Sequence, residues 1–351
     1  MQYASTHTFN FEDGVQVRGF CATPRGYLLS TMVTMKTRVL AGLSALLIAV
    51  SAGCSGSRPS SQGGPGPPVP AATLHRLPAG VFYFLAGWPN IYSANVWEVT
   101  PAGREVQLTH NQEGFGVSWF SASHAGIVMA DASTGADELA RLTTHGAQWL
   151  PAGHTRQPEI GGSAPQIASN GAITYVVPPA NYGPAHNDNA LWVTSSFSSR
   201  GRIIYKQRDD LAGEAFGPGG QIAVMNRPGD PPFPGIHAHL LIISPAGLVK
   251  TVPTPFWSLA TVIWQPNAVA LAVSSVTNQI ELIYPGGRTE LLQRGWQPLS
   301  WDPAGNELLV QRGLLLGLWS VAAPRAMTVL GKTNRQFAVL NVDWLAGRAP
   351  L

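Results

Sequence analysis

Six bulky anchor residues recur along this chain at near-regular intervals, and a repeat of that period restricts it to architectures built from like units placed side by side. Four anchors are clear: Ser118-Trp119-Phe120-Ser121, Ile263-Trp264-Gln265-Pro266-Asn267, Ser300-Trp301-Asp302-Pro303-Ala304-Gly305 and Asp343-Trp344-Leu345-Ala346-Gly347. Two degenerate copies, Gln166-Ile167-Ala168-Ser169-Asn170-Gly171 and Ala215-Phe216-Gly217-Pro218-Gly219-Gly220, fill the gap. The bulky residues then stand at 119, 167, 216, 264, 301 and 344, with spacings of 48, 49, 48, 37 and 43. Each of the first five is followed by an apolar strand, such as Gly126 to Ala130, Ala172 to Val177 or Gln221 to Met225. A second strand usually comes next, as at Leu240 to Ile243, then a Gly or Pro turn and an edge strand, as at Leu248 to Val252. Four strands per 37 to 49 residues is the period of a propeller blade, so the expected fold is an all-β, six-bladed β-propeller.

The two ends of the repeat region have complementary defects. Only residues 345–351 follow Trp344, too few for a blade, while strands at Val81 to Leu85, Asn95 to Thr100 and Arg104 to Thr109 have no anchor before them. Val339 to Leu345 is therefore expected as the innermost strand of the first blade, pairing the N- and C-terminal strands and closing the ring without open edges. A β-sandwich or two smaller β domains is the alternative, since short strands and turns alone do not choose between them. Charged residues make up 12% of the chain, with 38 Gly and 29 Pro, which suits many short strands rather than helices.

Trp301-Asp302-Pro303-Ala304-Gly305 and the apolar strand after it resemble the TolB-type propeller repeat of bacterial envelope proteins. Leu139-Ala140-Arg141-Leu142-Thr143 and Val106-Gln107-Leu108-Thr109 resemble the Leu-Thr ending of that family's blades. The resemblance covers about residues 79 to 345 and implies a six-bladed fold and an envelope setting. It implies no Tol-system role, because a bare tether stands where that family carries a separate N-terminal domain.

Residues 35–53 place Lys36 and Arg38 before an apolar run from Val39 to Val50, too short for the roughly 20 apolar residues of a membrane-spanning helix. Ser51-Ala52-Gly53-Cys54 resembles a bacterial lipobox, which makes Cys54 the expected lipidation site and first mature residue; ordinary secretion with an incidental cysteine is the alternative. Residues 1–34 read as an over-extended, unstructured start, with Met32 or Met35 the expected initiator. Residues 54–78 read as the lipidated Cys and a Gly/Pro/Ser tether whose stretch 55–72, at about 3.1 Å per residue where proline-rich, reaches about 55 Å. A lipid-anchored domain on the extracytoplasmic face of the membrane, in the cell envelope, is expected at 79–351. Removing residues 1–53 takes four of 22 basic and two of 19 acidic residues, leaving a charge of +1, which is no nucleic-acid footprint. The mature domain keeps no cysteine to pair beyond Cys54, and its stability must come from packing. A monomer is expected.

No catalytic constellation is legible, and no catalytic residue, metal or cofactor is assigned. A Gly-x-Ser-x-Gly nucleophile elbow is absent from the sequence. Asp302 faintly echoes a sialidase Asp-box turn but already serves the blade turn. His237-Ala238-His239 has the alternate spacing that places two imidazoles on one side of a strand, with no third ligand visible. Asp209, Asp210 and Glu214 either project into the central channel, where an ion could sit, or form a solvated acidic turn. Two long loops, 178–189 and 227–237, belong to adjacent blades and leave from the face that also carries the connections between blades. Both are proline-stiffened and present Tyr182, His186, Asp188, Phe233 and His237, with the inter-blade segment His145 to Gly162, including Trp149 and His154, approaching the same face. Those five residues are the candidate binding site for a protein or glycan partner, unless the loops are insertions without a ligand. The expected function is a binding or scaffold module, and the alternative is a propeller hydrolase or lyase acting on an envelope glycan or small molecule through a channel carboxylate or metal.

Overall fold

A computed structural model describes residues 6–10, 16–20, 79–87, 94–110, 117–131, 138–149, 163–177, 189–207, 210–227, 238–256, 259–267, 270–275, 278–284, 286–333 and 338–351. The chain divides into two units, Met1–Gln62 and Gly63–Leu351. In the first, Thr6–Asn10 pairs antiparallel with Gln16–Phe20. This hairpin falls in a region expected to be unstructured; β-branched Thr6, Thr8 and Val17 suit extended backbone.

The second unit is a six-bladed β-propeller of four-stranded antiparallel sheets. From the axis outward, blade 1 is Ala338–Leu345, Val81–Gly87, Asn95–Val99 and Glu105–Gln107, and blade 2 is Val117–Ser123, Gly126–Asp131, Glu138–Thr143 and Gly146–Trp149. Blade 3 is Ser163–Ile167, Ile173–Val177, Asn189–Thr194 and Arg202–Gln207, and blade 4 is Asp210–Phe216, Ile222–Arg227, His239–Ile243 and Val249–Pro253. Blade 5 is Leu259–Trp264, Leu271–Ser275, Gln279–Ile283 and Thr289–Arg294, and blade 6 is Gln297–Trp301, Glu307–Arg312, Leu315–Ser320 and Ala323–Lys332. The innermost strands touch their neighbours from blade 1 round to blade 6 and back to blade 1. All six anchors lie at or near the ends of these innermost strands, as the repeat predicts.

The core follows the same six-fold plan. Six apolar clusters each join two adjacent blades, from Phe82, Trp97 and Leu318 between blades 1 and 6 to Tyr175 and Met129's neighbour Val128 between blades 2 and 3. Inner and middle strands are buried on both faces, so they read as near-continuous apolar runs such as Ile173–Val177. The outermost strands alternate or expose their residues, as in Val249–Pro253.

Closure is made as the end defects predict: Val342 pairs with Phe84 and Trp344 with Phe82. The Trp344 indole lies 4.7 Å from the Phe82 ring and donates its Nε1–H to the Ala79 carbonyl at 3.3 Å. Gly80 makes room for it: at φ +143° a Cβ there would sit 2.3 Å from Trp344 Nε1. Beyond the strand, the Ala349 N–H donates to Tyr83 Oη at 2.8 Å, and Arg348 pairs with buried Glu98.

The turn after Trp301 explains its sequence. Asp302 Oδ1 accepts the backbone N–H groups of Asn306 and Glu307, the latter at 2.7 Å, and Gly305 adopts φ +73°. The Asp302 side chain is thus occupied by its own turn, which accounts for the Asp-box echo. Blade 2 departs from expectation in its outer half. Residues 146–149 form its outermost strand, so Trp149 belongs to a blade and the inter-blade connection is 150–162. Gly146, at φ +103°, closes the tight hairpin that adds this strand after Leu142-Thr143, whereas Leu108-Thr109 follows the outermost strand of blade 1.

Candidate functional site

Every innermost strand carries one extra residue relative to its partner. The register shifts fall at Val117/Trp119, Ser163/Gln166, Ala212/Glu214, Leu259/Thr261, Pro298/Ser300 and Val339/Asn341. A bulge of this kind bends the strand and re-aims the side chain that follows it. Here it aims six side chains at the axis: Trp119, Gln166, Glu214, Thr261, Ser300 and Asn341 all line a central channel of about 190 Å³. Five of the six are polar. Two residues further along, roughly 7 Å at strand rise, the wall includes Ser121, Phe216, Ile263 and Asp343.

Glu214 and Asp343 are the two carboxyl groups of this wall, and they come from blades 4 and 1, opposite positions in a ring of six. Glu214 is only 2% exposed, and neither of its side-chain oxygens has a hydrogen-bond partner. Burial holds its carboxyl well above the usual carboxylate range. Asp343 is half-buried and accepts the Ala122 N–H through Oδ2 at 2.7 Å. Burial pushes it up to about 7, against the opposing pull of that N–H. Burial thus favours the protonated form of both acids. Among the described residues lining the channel there is no Lys, Arg or His to balance either.

The rest of the wall is held by bonds between neighbouring blades. Asn341 Nδ2 donates to the Phe120 carbonyl at 2.8 Å, Ser121 Oγ accepts the Ile167 N–H at 3.3 Å, and the Trp344 N–H donates to Ser300 Oγ at 3.1 Å. These contacts keep the post-bulge side chains in place and join blades 1 to 2, 2 to 3 and 6 to 1. The channel-lining indoles Trp119, Trp264 and Trp301 have unbonded Nε1–H groups, but so do Trp97 and Trp192 away from the channel, which marks this as a feature of blade packing.

The sequence-derived candidates separate into two sets. Glu214 reaches the channel, on a strand rather than in an acidic turn; Asp210 begins that strand, and Asp209 lies outside the described residues. Tyr182, His186, Asp188, Phe233, His237 and Cys54 also lie outside the described residues. His239 is half-buried on the third strand of blade 4 with Nδ1 unbonded. No group of three or more His, Cys, Asp and Glu side chains that could hold a metal occurs among the described residues. Asp343 and Asn341 were missed as site residues, because their anchor reads as a blade turn. Gly213 was the available signal for Glu214: a glycine inside a strand pattern marks a bulge, and here it sits at φ +58° with no room for a Cβ against Met225 Cε.

The fold and the site together define a class: a six-bladed β-propeller whose bulged inner strands build a polar channel with two facing acids. In fold it is TolB-like. It superposes on TolB from Acinetobacter baumannii with a TM-score of 0.58 at 14% identity, covering 77% of this chain and 67% of that one. A chain of the nidogen/laminin complex superposes with a TM-score of 0.53 at 11% identity, covering 77% of this chain and all of the other. No family model matches the sequence, and no curated protein sequence matches it significantly.

Proposed function

We propose that this protein is a lipid-anchored binding module on the extracytoplasmic side of the membrane, with the propeller channel and the loop face around it as the recognition surface. The observation that carries this reading is Glu214, a buried carboxyl lining the channel whose oxygens meet no other residue of the protein, only its own backbone N–H opposing the effect of burial. Unpaired buried polar groups cost about 1–3 kcal/mol, and a bound ligand that satisfies them recovers that cost. The lipobox-like Ser51-Ala52-Gly53-Cys54 and the TolB-like fold support the envelope setting. The loops bearing Tyr182, His186, Asp188, Phe233 and His237 connect the second and third strands of blades 3 and 4, and blade 4 also supplies Glu214. A protein or glycan docking over the channel would meet its two acids, Glu214 and Asp343.

The test is capture of envelope components by the anchored full chain, comparing wild type with Tyr182→Ala/Phe233→Ala. Aromatic anchors at hot spots contribute about 2 kcal/mol or more, so captured material should fall while the melting temperature holds. Equal capture by the two proteins would remove the loop face from the site. The same Glu214 favours a second reading, a hydrolase or lyase, because a carboxyl that burial biases toward its protonated form is suited to act as a general acid. Turnover of envelope glycan fragments that Glu214→Gln abolishes would establish that reading over simple binding.

A further inference from the structure

We infer that the channel is a receptor site for an organic ammonium group on a slim aliphatic stem, its charge met by the carboxyl groups of the channel wall, Glu214 and Asp343. This rests on the reading of the channel as a binding surface and names the chemistry of what enters it.

Four observations converge. Glu214 offers two unbonded acceptor oxygens inside the channel while being 2% exposed. Asp343 faces the same space from the opposite blade, with one oxygen committed to the Ala122 N–H. The channel wall supplies two acids and, among the described residues, no cation, so a positively charged ligand meets no like charge there and favours the ionised form of both acids. The wall also includes the aromatic side chains Trp119 and Phe216, surfaces that suit methylene groups and attract cations.

Size separates the ligand classes. The channel volume of about 190 Å³ is that of roughly six waters at 30 Å³ each, space for an ammonium with a short alkyl chain. A bare metal ion would leave most of that space unfilled, and the described residues hold no group of three acidic, His or Cys ligands for one. A neutral hydroxyl ligand would hydrogen-bond Glu214 but would not stabilise its ionised form, so its binding would release no protons. An ammonium donates three N–H groups, enough to serve a carboxyl and polar neighbours of the wall such as Gln166 or Asn341.

Binding then carries a proton signature. An alkylammonium stays charged to about pH 10, so it enters as a cation and stabilises the ionised carboxylates, which release protons as it binds. The titratable group opposite Asp343 in register is Tyr83, while Tyr175, on the second strand of blade 3, packs toward blade 2. Both are pushed up to about 12 and stay neutral. Asp210 is on the Glu214 strand itself. Affinity should therefore rise from pH 6 to pH 8.

The experiment is calorimetric titration of the detergent-solubilised full chain with n-pentylammonium, with Nα-acetyl-lysine amide, with n-pentanol and with Ca²⁺, each in two buffers of different ionisation enthalpy. The expected result is binding of at least one amine with proton release, weakened about tenfold or more in both Glu214→Gln and Asp343→Asn, with pentanol not binding. Binding of pentylammonium alone identifies a free amine as the source, and binding of the lysine amide identifies a lysine side chain of a partner protein. Both variants are near-isosteric, and melting curves confirm that they fold; Ser169→Ala, on an exposed turn, serves as the unaffected control. Failure of both amines at millimolar concentration, amine affinity unchanged in the two folded variants, equal binding of pentanol, or Ca²⁺ binding lost in Glu214→Gln would each overturn the ammonium site. Partner capture that survives such a failure leaves the binding-module reading standing and removes only its ligand chemistry.

Discussion

Asp343 and Glu214 couple the stability of the propeller to pH with a definite sign. An Asp whose proton is held to about pH 7 in the folded chain, against an ordinary value of 3.8, makes the folded state bind more protons than the unfolded state across that window. Stability contributed this way is present below the ordinary value and is lost as pH rises through about 7. Glu105, on the outer strand of blade 1 and also pushed to about 7 by burial, acts in the same direction with less weight because it is half-exposed. The melting temperature should fall from about pH 5 to about pH 8 and fall less in Asp343→Asn, where the amide oxygen still accepts the Ala122 N–H. Thermal melts across that series check it; a wild-type value that climbs with pH would contradict the assignment. At this scale the sequence was only partly legible. Glu214 was named as a channel candidate from its place before an anchor. Asp343 was not, because its role depends on a bulge and on a strand from the opposite end of the chain.

Among elements, the innermost strand of blade 1 has the most to do. It pairs with Val81–Gly87, seats Trp344 on Phe82 and over Gly80, and carries the channel residues Asn341 and Asp343. Trp344 is 4% exposed, and its replacement by Ala should cost about 3–5 kcal/mol by leaving a cavity at the seam of the ring. Denaturant unfolding would measure it. Deleting residues 339–351 should do more, exposing the edge of Val81–Gly87 and causing insolubility. Deleting 55–72 should leave the melting temperature almost unchanged. Equal melting temperatures for the 339–351 deletion and the intact chain would refute closure by this strand. The strands themselves were readable because inner and middle strands form apolar runs bounded by Gly and Pro. The short outer strand of blade 2 was not, because Gly146-Ala147-Gln148-Trp149 has no apolar pattern and depends on the hairpin turn at Gly146.

For the whole molecule, the ring sets a closed frame with a channel at its axis. If Cys54 carries the lipid, Cys54→Ala should move the protein from the membrane to the soluble fraction and abolish labelling with a fatty-acid analogue. Unchanged fractionation and labelling would contradict anchoring. The ring is held by six inter-blade clusters and by side-chain bonds such as Gln265 Nε2 to the Gly305 carbonyl at 2.6 Å, which ties blade 5 to blade 6. In a solenoid an end unit can fray alone; closure removes that freedom, so damage at the seam is felt around the ring.

By itself the sequence determined the number of blades, their order and the closure of the ring. Each of these follows from local patterns: anchor spacing, apolar runs, turn residues and the mismatch between the two ends. Tertiary structure alone decided which side chains meet at the axis. The post-bulge residues stand at varying offsets from their anchors, from Trp119 itself to Asn341 three residues before Trp344, so no fixed spacing in the repeat points to them. A one-residue slip turns a side chain from one face of a strand to the other, and the bulges that set it depend on packing between blades. The same packing removes water from Glu214 and brings Asp343, 129 residues away in the chain, to the opposite wall of one channel.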